Sequence, residues 1–221
     1  MIEKNVRRIL DELPEGVDLV AAAKGRNAEE IQKAIDAGVR IIGENYIKEA
    51  KHVHSALGNS VKWHFIGIPG NQKHDLMRQR VLEIFDMIET IDSLPLAEEL
   101  NRRCRKIGKV MPVLVEINSG RESQKSGVIS ETAEELIRQM AYLNNIKVSG
   151  LMTMGPRFGN PEESRPFFIE TRRIFEQIRK LNIPNVEMKH LSMGMTNSYR
   201  IALEEGANIV RIGTRIFENE I

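Results

Sequence analysis

The feature that most constrains the fold is a regular alternation, starting at Val17, of short β-rich segments with longer segments of helical period. Short apolar runs separated by amphipathic helical segments are typical of βαβ units, which build parallel sheets. We predict eight strands, at 17–24, 40–43, 61–67, 86–91, 110–118, 147–152, 186–191 and 208–212. We predict helices at 2–13, 28–37, 46–57, 75–81, 94–107, 131–143, 161–181 and 197–205, and a terminal helix from about 214.

Eight strands with helices between them close a (β/α)8 TIM barrel of the α/β class. A doubly wound open sheet uses the same alternation with fewer strands and is the alternative that the pattern alone leaves open. The length of 221 residues and the hydrophobic content of 41% suit one barrel domain over 1–221, with 1–16 as a helix and loop before the first strand.

Charge and composition limit the partners. Thirty-two Lys and Arg against 31 Asp and Glu give a net charge of +1, which provides no global field for nucleic acid or an anionic membrane. The one cysteine, Cys104, cannot form an internal disulfide, and the first ten residues lack the apolar core of a signal peptide. No apolar run approaches the roughly 20 residues of a membrane span. We therefore expect a cytoplasmic protein that binds a small molecule.

Lys24 ends the first predicted strand, in the segment VDLVAAAKGR. Since Gly25 stops the apolar run, the lysine is expected at the carboxyl end of a strand, where barrels and open α/β sheets carry their chemistry. The three alanines before it leave room for a flat ring and should keep the amine poorly solvated. A lysine that only leaves the core for water would show the same pattern.

The loops after the last two predicted strands have the composition of an anion site. SMGMTNS at 192–198 and GTRIF at 213–217 combine glycine with hydroxyl residues and lead into helices. Glycine lets backbone N–H groups approach, Ser and Thr donate, and helix N-termini add positive dipole ends. Each loop alone would fit ordinary caps and turns. Two of them at these barrel positions favour a phosphate.

A lysine beside a phosphate site leaves two chemistries open. Lys24 could form a Schiff base with a phosphosugar, as in an aldolase, or with the aldehyde of pyridoxal phosphate (PLP). Arg211 precedes the second loop by two residues. Its guanidinium never deprotonates and could donate to an unprotonated pyridine nitrogen, although a salt bridge in the barrel mouth would also explain it. No Cys or His cluster in the sequence completes a metal site.

Several ordered segments resemble the pyridoxal phosphate homeostasis protein family, single-domain relatives of the N-terminal barrel of alanine racemase. The resemblance runs from about residue 17 to the end. It rests on LVAAAK, the GEN of GENYIKEA, WHFIG, SGRESQKSG, GLMTMGP, LSMGMTNSYRIALEEGANIVRIGT and the final IF. It implies a PLP barrel of fold type III, without the C-terminal β domain of racemases.

The resemblance also implies roles for individual residues. Lys24 would carry the cofactor as an internal aldimine, and Arg211 would face the pyridine nitrogen. Asn45 and Met193 would line the ring. The phosphate group would be held by Ser192, Gly194, Gly213 and Thr214.

The sequence departs from the family pattern at two places. Gly25 stands where a hydroxyl residue usually follows the lysine, and IPGNQK from Ile68 replaces the usual histidine and glutamine after WHFIG. The first change could loosen hydrogen bonding around Lys24, and the second would remove polar groups from the barrel mouth. Lys125, in the loop after the fifth strand, could attract or hand over an anionic cofactor.

The resemblance favours a carrier over an enzyme. Racemases of the superfamily use a tyrosine from an extra domain, and Arg211 opposite the ring nitrogen would make the ring a weak electron sink. We expect a protein that binds, protects and delivers PLP, with PLP-dependent apoenzymes as recipients, as a monomer or weak homodimer and without assigned catalytic residues. A small PLP-dependent racemase and a Schiff-base aldolase are the alternatives.

Overall fold

The computed structural model describes residues 1–121, 126–156 and 159–218. Eight parallel strands follow one another around a closed barrel, and β1 pairs with both β2 and β8. The (β/α)8 prediction is confirmed, and the open-sheet alternative is wrong. The strands are β1 Asp18–Ala22, β2 Ile41–Glu44, β3 Lys62–Phe65, β4 Met87–Ile91, β5 Met111–Ile117, β6 Ile146–Thr153, β7 Val186–Ser192 and β8 Ile209–Ile212.

Helices precede β1, occupy the connections between the strands and follow β8. They are α1 Ile2–Glu12, α2 Ala28–Asp36, α3 Ile47–Leu57, α4 Lys73–Leu76, α5 Gln79–Leu82, α6 Leu94–Lys106, α7 Ala133–Met140, α8 Arg165–Lys180, α9 Tyr199–Glu204 and α10 Thr214–Phe217. Short 3-10 turns at Gly70–Gln72, Ser130–Thr132 and Pro161–Ser164 precede α4, α7 and α8. None of the helices in the described part of the chain has the length and hydrophobicity that a bilayer crossing needs.

The predicted helix over 75–81 is the main difference from the sequence-based expectation. Two short helices, α4 and α5, take its place, because Arg78 between them has an extended backbone (φ −76°, ψ 137°) that interrupts the helical turn. The segment from Ile68 to Lys73, where the chain departs from the family pattern, contains the first 3-10 turn and reaches the start of α4. The connection after β3 is therefore irregular.

The barrel interior contains two small groups of apolar side chains, with polar side chains between them. Val20, Ile41, Ile66 and Ile209 pack together on one side, and Met87, Leu114 and Met152 pack on the other. The polar residues of the interior that are fully or almost fully buried are His64, Glu89, Glu116, Ser192 and Arg211. Such side chains are costly to bury unless they are paired, so their contacts decide what the barrel can bind.

Helix α1 is joined to the end of the barrel that follows β7 and β8. Asn5 Nδ2 donates to the carbonyl oxygens of Ile216 (3.2 Å) and Glu218 (3.3 Å). Glu12 accepts hydrogen bonds from Tyr199 and, at 2.8 Å, from Arg215. These contacts hold α9 and α10, the helices that begin after the two predicted phosphate loops.

Candidate functional site

Lys24 lies two residues beyond the end of β1, at the barrel end where all eight parallel strands finish. Val20 and Ala22 face the interior, and Lys24 continues this alternating series. Its Nζ atom lies 5.3 Å from the centroid of the Tyr46 ring. The side chain is exposed. The expectation that three alanines keep the amine poorly solvated is therefore wrong. Of the three, Ala22 faces the interior, whereas Ala21 and Ala23 pack on the outer side of the barrel.

The family pattern has a hydroxyl residue at the position of Gly25. In this chain the backbone of Gly25 is instead held by a side chain of α3. Its backbone N–H donates to Glu49 Oε2 on α3 at 2.8 Å. Its φ is +72°, in the left-handed region that favours glycine, and a Cβ there would meet nothing within 4 Å. The turn after Lys24 is thus fixed by a carboxylate from α3 rather than by a side chain of its own.

The loop after β7 lies beside β8, and the loop after β8 lies beside the end of β1. The backbone N–H of Arg211 donates to the carbonyl oxygen of Gly194 at 3.0 Å. A Cβ at Gly213 would lie 2.9 Å from the carbonyl oxygen of Ala22, so this loop also contacts the end of β1. The structure therefore brings Gly194 and Gly213 to the same end of the barrel as Lys24.

The helices that follow these loops are short. Helix α9 has six residues and α10 has four, so their dipoles are smaller than the phosphate prediction assumed. Thr214 is exposed as the first residue of α10, and Thr196 is half-buried in the preceding loop. A phosphate here would depend mainly on bare backbone and hydroxyl groups, and this anion site stays a prediction.

Ser192 occupies the centre of a buried polar chain. Arg211 Nη1 donates to Ser192 Oγ at 2.6 Å, and Ser192 Oγ donates to Glu89 Oε2 at 2.7 Å. The other carboxylate oxygen of Glu89 lies 2.7 Å from His64 Nδ1. Arg211 Nη2 donates to the carbonyl oxygen of Thr153 at 2.9 Å. The Ser192 hydroxyl is thus used within the barrel, and its predicted contact with phosphate remains untested.

The charges in this chain compensate one another. Burial raises the pKa of Glu89, but the hydrogen bond and charge of His64, with Arg211 and Ser192, bring this pKa below its ordinary value. Burial lowers the pKa of Arg211, and the nearby carboxylates Glu89 and Glu116 oppose this effect. Burial, and then Asp92, raise the pKa of Glu116 to about 7 although Arg211 lowers it. We therefore assign Glu89 as the ionised partner of Arg211.

Met193 is not placed as predicted. Its side chain belongs to the hydrophobic layer between strands and helices and is completely buried there. Because successive residues of a strand face opposite sides, Ser192 inside the barrel directs the next side chain outward. The prediction that the Met193 side chain lines a ring is therefore wrong. Asn45 is half-buried at the end of β2.

Gln72 restores polar contacts at the mouth despite the altered segment after WHFIG. Its Nε2 donates to the carbonyl oxygen of Asn45 at 3.0 Å, and its Oε1 accepts from the N–H of Ile47 at 2.9 Å. The connection after β3 is thus tied to the GEN segment. The expectation that IPGNQK removes polar groups from the mouth is wrong, since this glutamine replaces them. Lys125 lies outside the described residues.

Sequence reasoning missed Tyr46, Glu89 and Glu116. The predicted helix over 46–57 includes Tyr46, but this residue precedes α3 and is 42% exposed beside Lys24. Each glutamate is the one charged residue of its buried strand, in MIETI and MPVLVEI. A single carboxylate in a buried strand was the available signal, because such a group requires a partner or a raised pKa.

A cleft of about 580 Å³ lies elsewhere, between the 70–78 segment and one side of α6. Pro95, Glu99 and Arg103 form the α6 wall. None of the predicted site residues lines this cleft. Within the described ranges, no group of three His, Cys, Asp or Glu residues could hold a metal ion. The barrel mouth remains the candidate site.

The barrel is of the alanine racemase type. The family model described as "Alanine racemase, N-terminal domain" matches residues 1–219. Alanine racemases from Clostridium difficile 630 and Corynebacterium glutamicum share the fold at TM-scores of 0.77 and 0.74, with 16% and 19% identity. Each covers 99% of this chain, which spans 56% and 61% of theirs. At this level of identity the likeness shows the fold alone.

Relatives of higher sequence identity show which family of alanine racemase-type barrels the chain belongs to. The pyridoxal phosphate homeostasis protein of Aquifex aeolicus (strain VF5) is 39% identical over 201 residues, 90% of this chain and 85% of that protein. The protein of the same description from Escherichia coli (strain K12) is 34% identical over 92% of this chain and 86% of its own length. The chain belongs to the pyridoxal phosphate homeostasis protein family.

A solved structure of a related protein contains the cofactor. PipY of Synechococcus elongatus PCC7942 is 27% identical and covers 98% of this chain and 100% of its own. Its structure without PLP matches at a TM-score of 0.90, and its structure with PLP bound matches at 0.87.

Proposed function

We propose that the protein binds PLP through Lys24 and serves PLP homeostasis as a carrier. The observation that carries this proposal is the placement of Lys24 at the carboxyl end of β1, beside the glycine loop after β8. Membership of a family whose relatives are described as pyridoxal phosphate homeostasis proteins supports it. The PLP-bound structure of PipY supports the choice of cofactor.

The residues present fit such a group. A side chain at Gly194 or Gly213 would collide with neighbouring atoms, so both positions keep bare backbone where a phosphate would lie. Arg211 is buried and retains N–H groups beyond the two that Ser192 and Thr153 use. The open mouth around Lys24 admits a flat ring.

Each residue then has a separate task. PLP supplies an aldehyde that can condense with an amine, and Lys24 supplies that amine. Gly194, Gly213 and Thr214 hold the phosphate, Asn45 borders the ring, and Arg211 donates to the ring nitrogen. Because a guanidinium keeps its protons, the nitrogen stays unprotonated and the ring withdraws electrons weakly. This favours binding and release over amino-acid chemistry, and delivery to PLP-dependent apoenzymes is part of the proposal.

Replacing Lys24 with arginine should abolish covalent PLP binding. Arginine keeps the positive charge over Tyr46 but offers no amine for condensation. The protein is mixed with PLP, its visible absorption is recorded, and the complex is reduced with borohydride and mapped by peptide mass spectrometry. We expect a reduced adduct on the peptide containing Lys24 in the native sequence and none in the variant.

Lys48→Arg is the matched control, since Lys48 is an exposed lysine on α3. It should label as the native protein does. Stoichiometric labelling that survives in Lys24→Arg would contradict the proposal. Incubation of the loaded protein with L- or D-alanine in deuterated water tests the carrier assignment. Lys24-dependent exchange of the α-hydrogen would instead show a racemase-like enzyme.

A further inference from the structure

We propose that Glu89 is a positioning residue that fixes Arg211 for the ring nitrogen, acting through the Ser192 hydroxyl. This inference rests on the proposed PLP-binding function. Glu89 lies on β4, and Ser192 is 103 residues away at the end of β7. In the part of the chain that the structure describes, the carboxylate and the guanidinium share no direct hydrogen bond, so the serine is the link between them.

The chemistry of the three groups determines which way each proton points. An ionised carboxylate can only accept hydrogen bonds, so Ser192 uses its single proton on Glu89. The serine lone pairs are then left to accept from Arg211, which can only donate. His64 Nδ1 must carry the proton that it shares with Glu89. The arrangement of protons is therefore unique, and it leads from Glu89 to one nitrogen of the guanidinium.

The guanidinium is held at two of its nitrogens. Nη1 is 2.6 Å from Ser192 Oγ and Nη2 is 2.9 Å from the Thr153 carbonyl oxygen. Arg211 is only 4% exposed. A planar group anchored at both ends in a dry interior has little freedom to rotate. The N–H groups that remain therefore point in fixed directions.

Loss of the Glu89 charge would release this arrangement. Glutamine has the shape of glutamate, but its amide has no full charge to offset the buried guanidinium and can itself donate to Ser192. The hydroxyl could then turn, and Arg211 would lose its fixed acceptor. Ser192→Ala would remove the same link from the other side. The two substitutions should thus have a common effect on Arg211.

The test compares PLP with a benzene analogue in which carbon replaces the ring nitrogen. Both ligands keep the aldehyde and the phosphate, so only PLP can use Arg211 as a donor to the ring. Glu89→Gln and Ser192→Ala should each weaken PLP binding about tenfold, the effect of one charged hydrogen bond. Glu89→Gln should change the affinity for the analogue by less than about twofold. Ser192→Ala should lower the ratio of PLP affinity to analogue affinity by the same factor as Glu89→Gln, and the double variant should lower this ratio no further than the single ones.

Two further variants keep the test decisive. Glu89→Asp keeps the charge and should recover part of the preference for PLP over the analogue. This recovery would show that the losses in Glu89→Gln come from the position of Arg211 and not from a damaged fold. Glu98→Gln, at an exposed position of α6, should bind both ligands as the native protein does. Equal losses for the two ligands would overturn the inference while leaving the proposed function intact. Failure of the native protein to bind PLP at all would instead overturn the proposed function.

Discussion

Replacing Glu44 with glutamine should raise the free energy of unfolding by roughly 4 kcal/mol at pH 9 and by much less at pH 5. Glu44 ends β2 and is completely buried. Within residues 1–121, 126–156 and 159–218, neither of its carboxyl oxygens has a hydrogen-bond partner. Burial, and then the nearby charge of Glu49, raise its pKa to about 8.

The position of Glu44 in the strand explains why it has no partner. Gly43 faces the interior, because a Cβ there would meet Val20 and Ile66. The next side chain therefore points outward, towards the layer between β2 and the helices, and it is completely buried there. Burial and the Glu49 charge both raise the pKa of Glu44, and no positively charged group of the described residues offsets them. A neutral carboxyl is tolerated in this layer far better than a carboxylate.

The sign of the pH dependence follows from the direction of the pKa shift. The folded protein keeps a proton on Glu44 up to about pH 8, whereas the unfolded chain releases it near the ordinary value of 4.5. Burial of Glu44 therefore costs least free energy below pH 4.5. The free energy of unfolding falls as the pH rises from there towards 8. Glutamine does not titrate, so Glu44→Gln removes this loss without changing the size of the side chain.

Urea unfolding between pH 5 and pH 9 measures the effect. The difference between Glu44→Gln and the native sequence should grow with pH and level off above pH 8, at about 1.4 kcal/mol for each pH unit within the window. Glu98→Gln, at an exposed position, should follow the native curve at every pH. Parallel curves for Glu44→Gln and the native protein would show that Glu44 finds a partner when it ionises.

The barrel could be predicted from the sequence because each strand is recognised from residues that are neighbours in the chain. Each strand is a short apolar run bounded by glycine or polar residues, and every strand lies within two residues of its predicted bounds. The placement of Lys24 at the mouth follows from the same pattern. The helix over 75–81 was wrong because one extended residue, Arg78, is enough to divide it, and helical period alone does not show where the backbone turns.

The buried polar chain could not be predicted in the same way. Glu89 and Ser192 meet across the barrel, and no local pattern relates two residues 103 positions apart. Strand alternation could have corrected one error, since Ser192 and Met193 are neighbours and face opposite sides. Resemblance assigned both to the site without regard to this alternation. The alternation of faces along β7 is enough to predict that Ser192 lies inside the barrel, between two residues that face outward.

Replacing Gly194 with alanine should lower the free energy of unfolding by about 4 kcal/mol and weaken PLP binding. Gly194 has φ +89°, which is strained for any other residue. A Cβ would also lie 2.7 Å from Tyr199 Cα and 2.6 Å from Ala202 Cβ. Since both atoms belong to α9, the loop after β7 or the helix must move. Urea unfolding and PLP titration measure the two effects.

Gly206→Ala separates the strain of the backbone from the collision. Gly206 follows α9 with φ +87°, almost the same as at Gly194, but the atoms nearest to a Cβ there would be those of the Arg172 guanidinium, at 3.5 Å or more. Its substitution should cost about 1 kcal/mol and leave PLP binding unchanged, because a flexible side chain can move and the phosphate loop is not displaced. The difference between the two variants is then the cost of pushing α9 away from the loop. Equal losses of stability would mean that this contact does not constrain the loop.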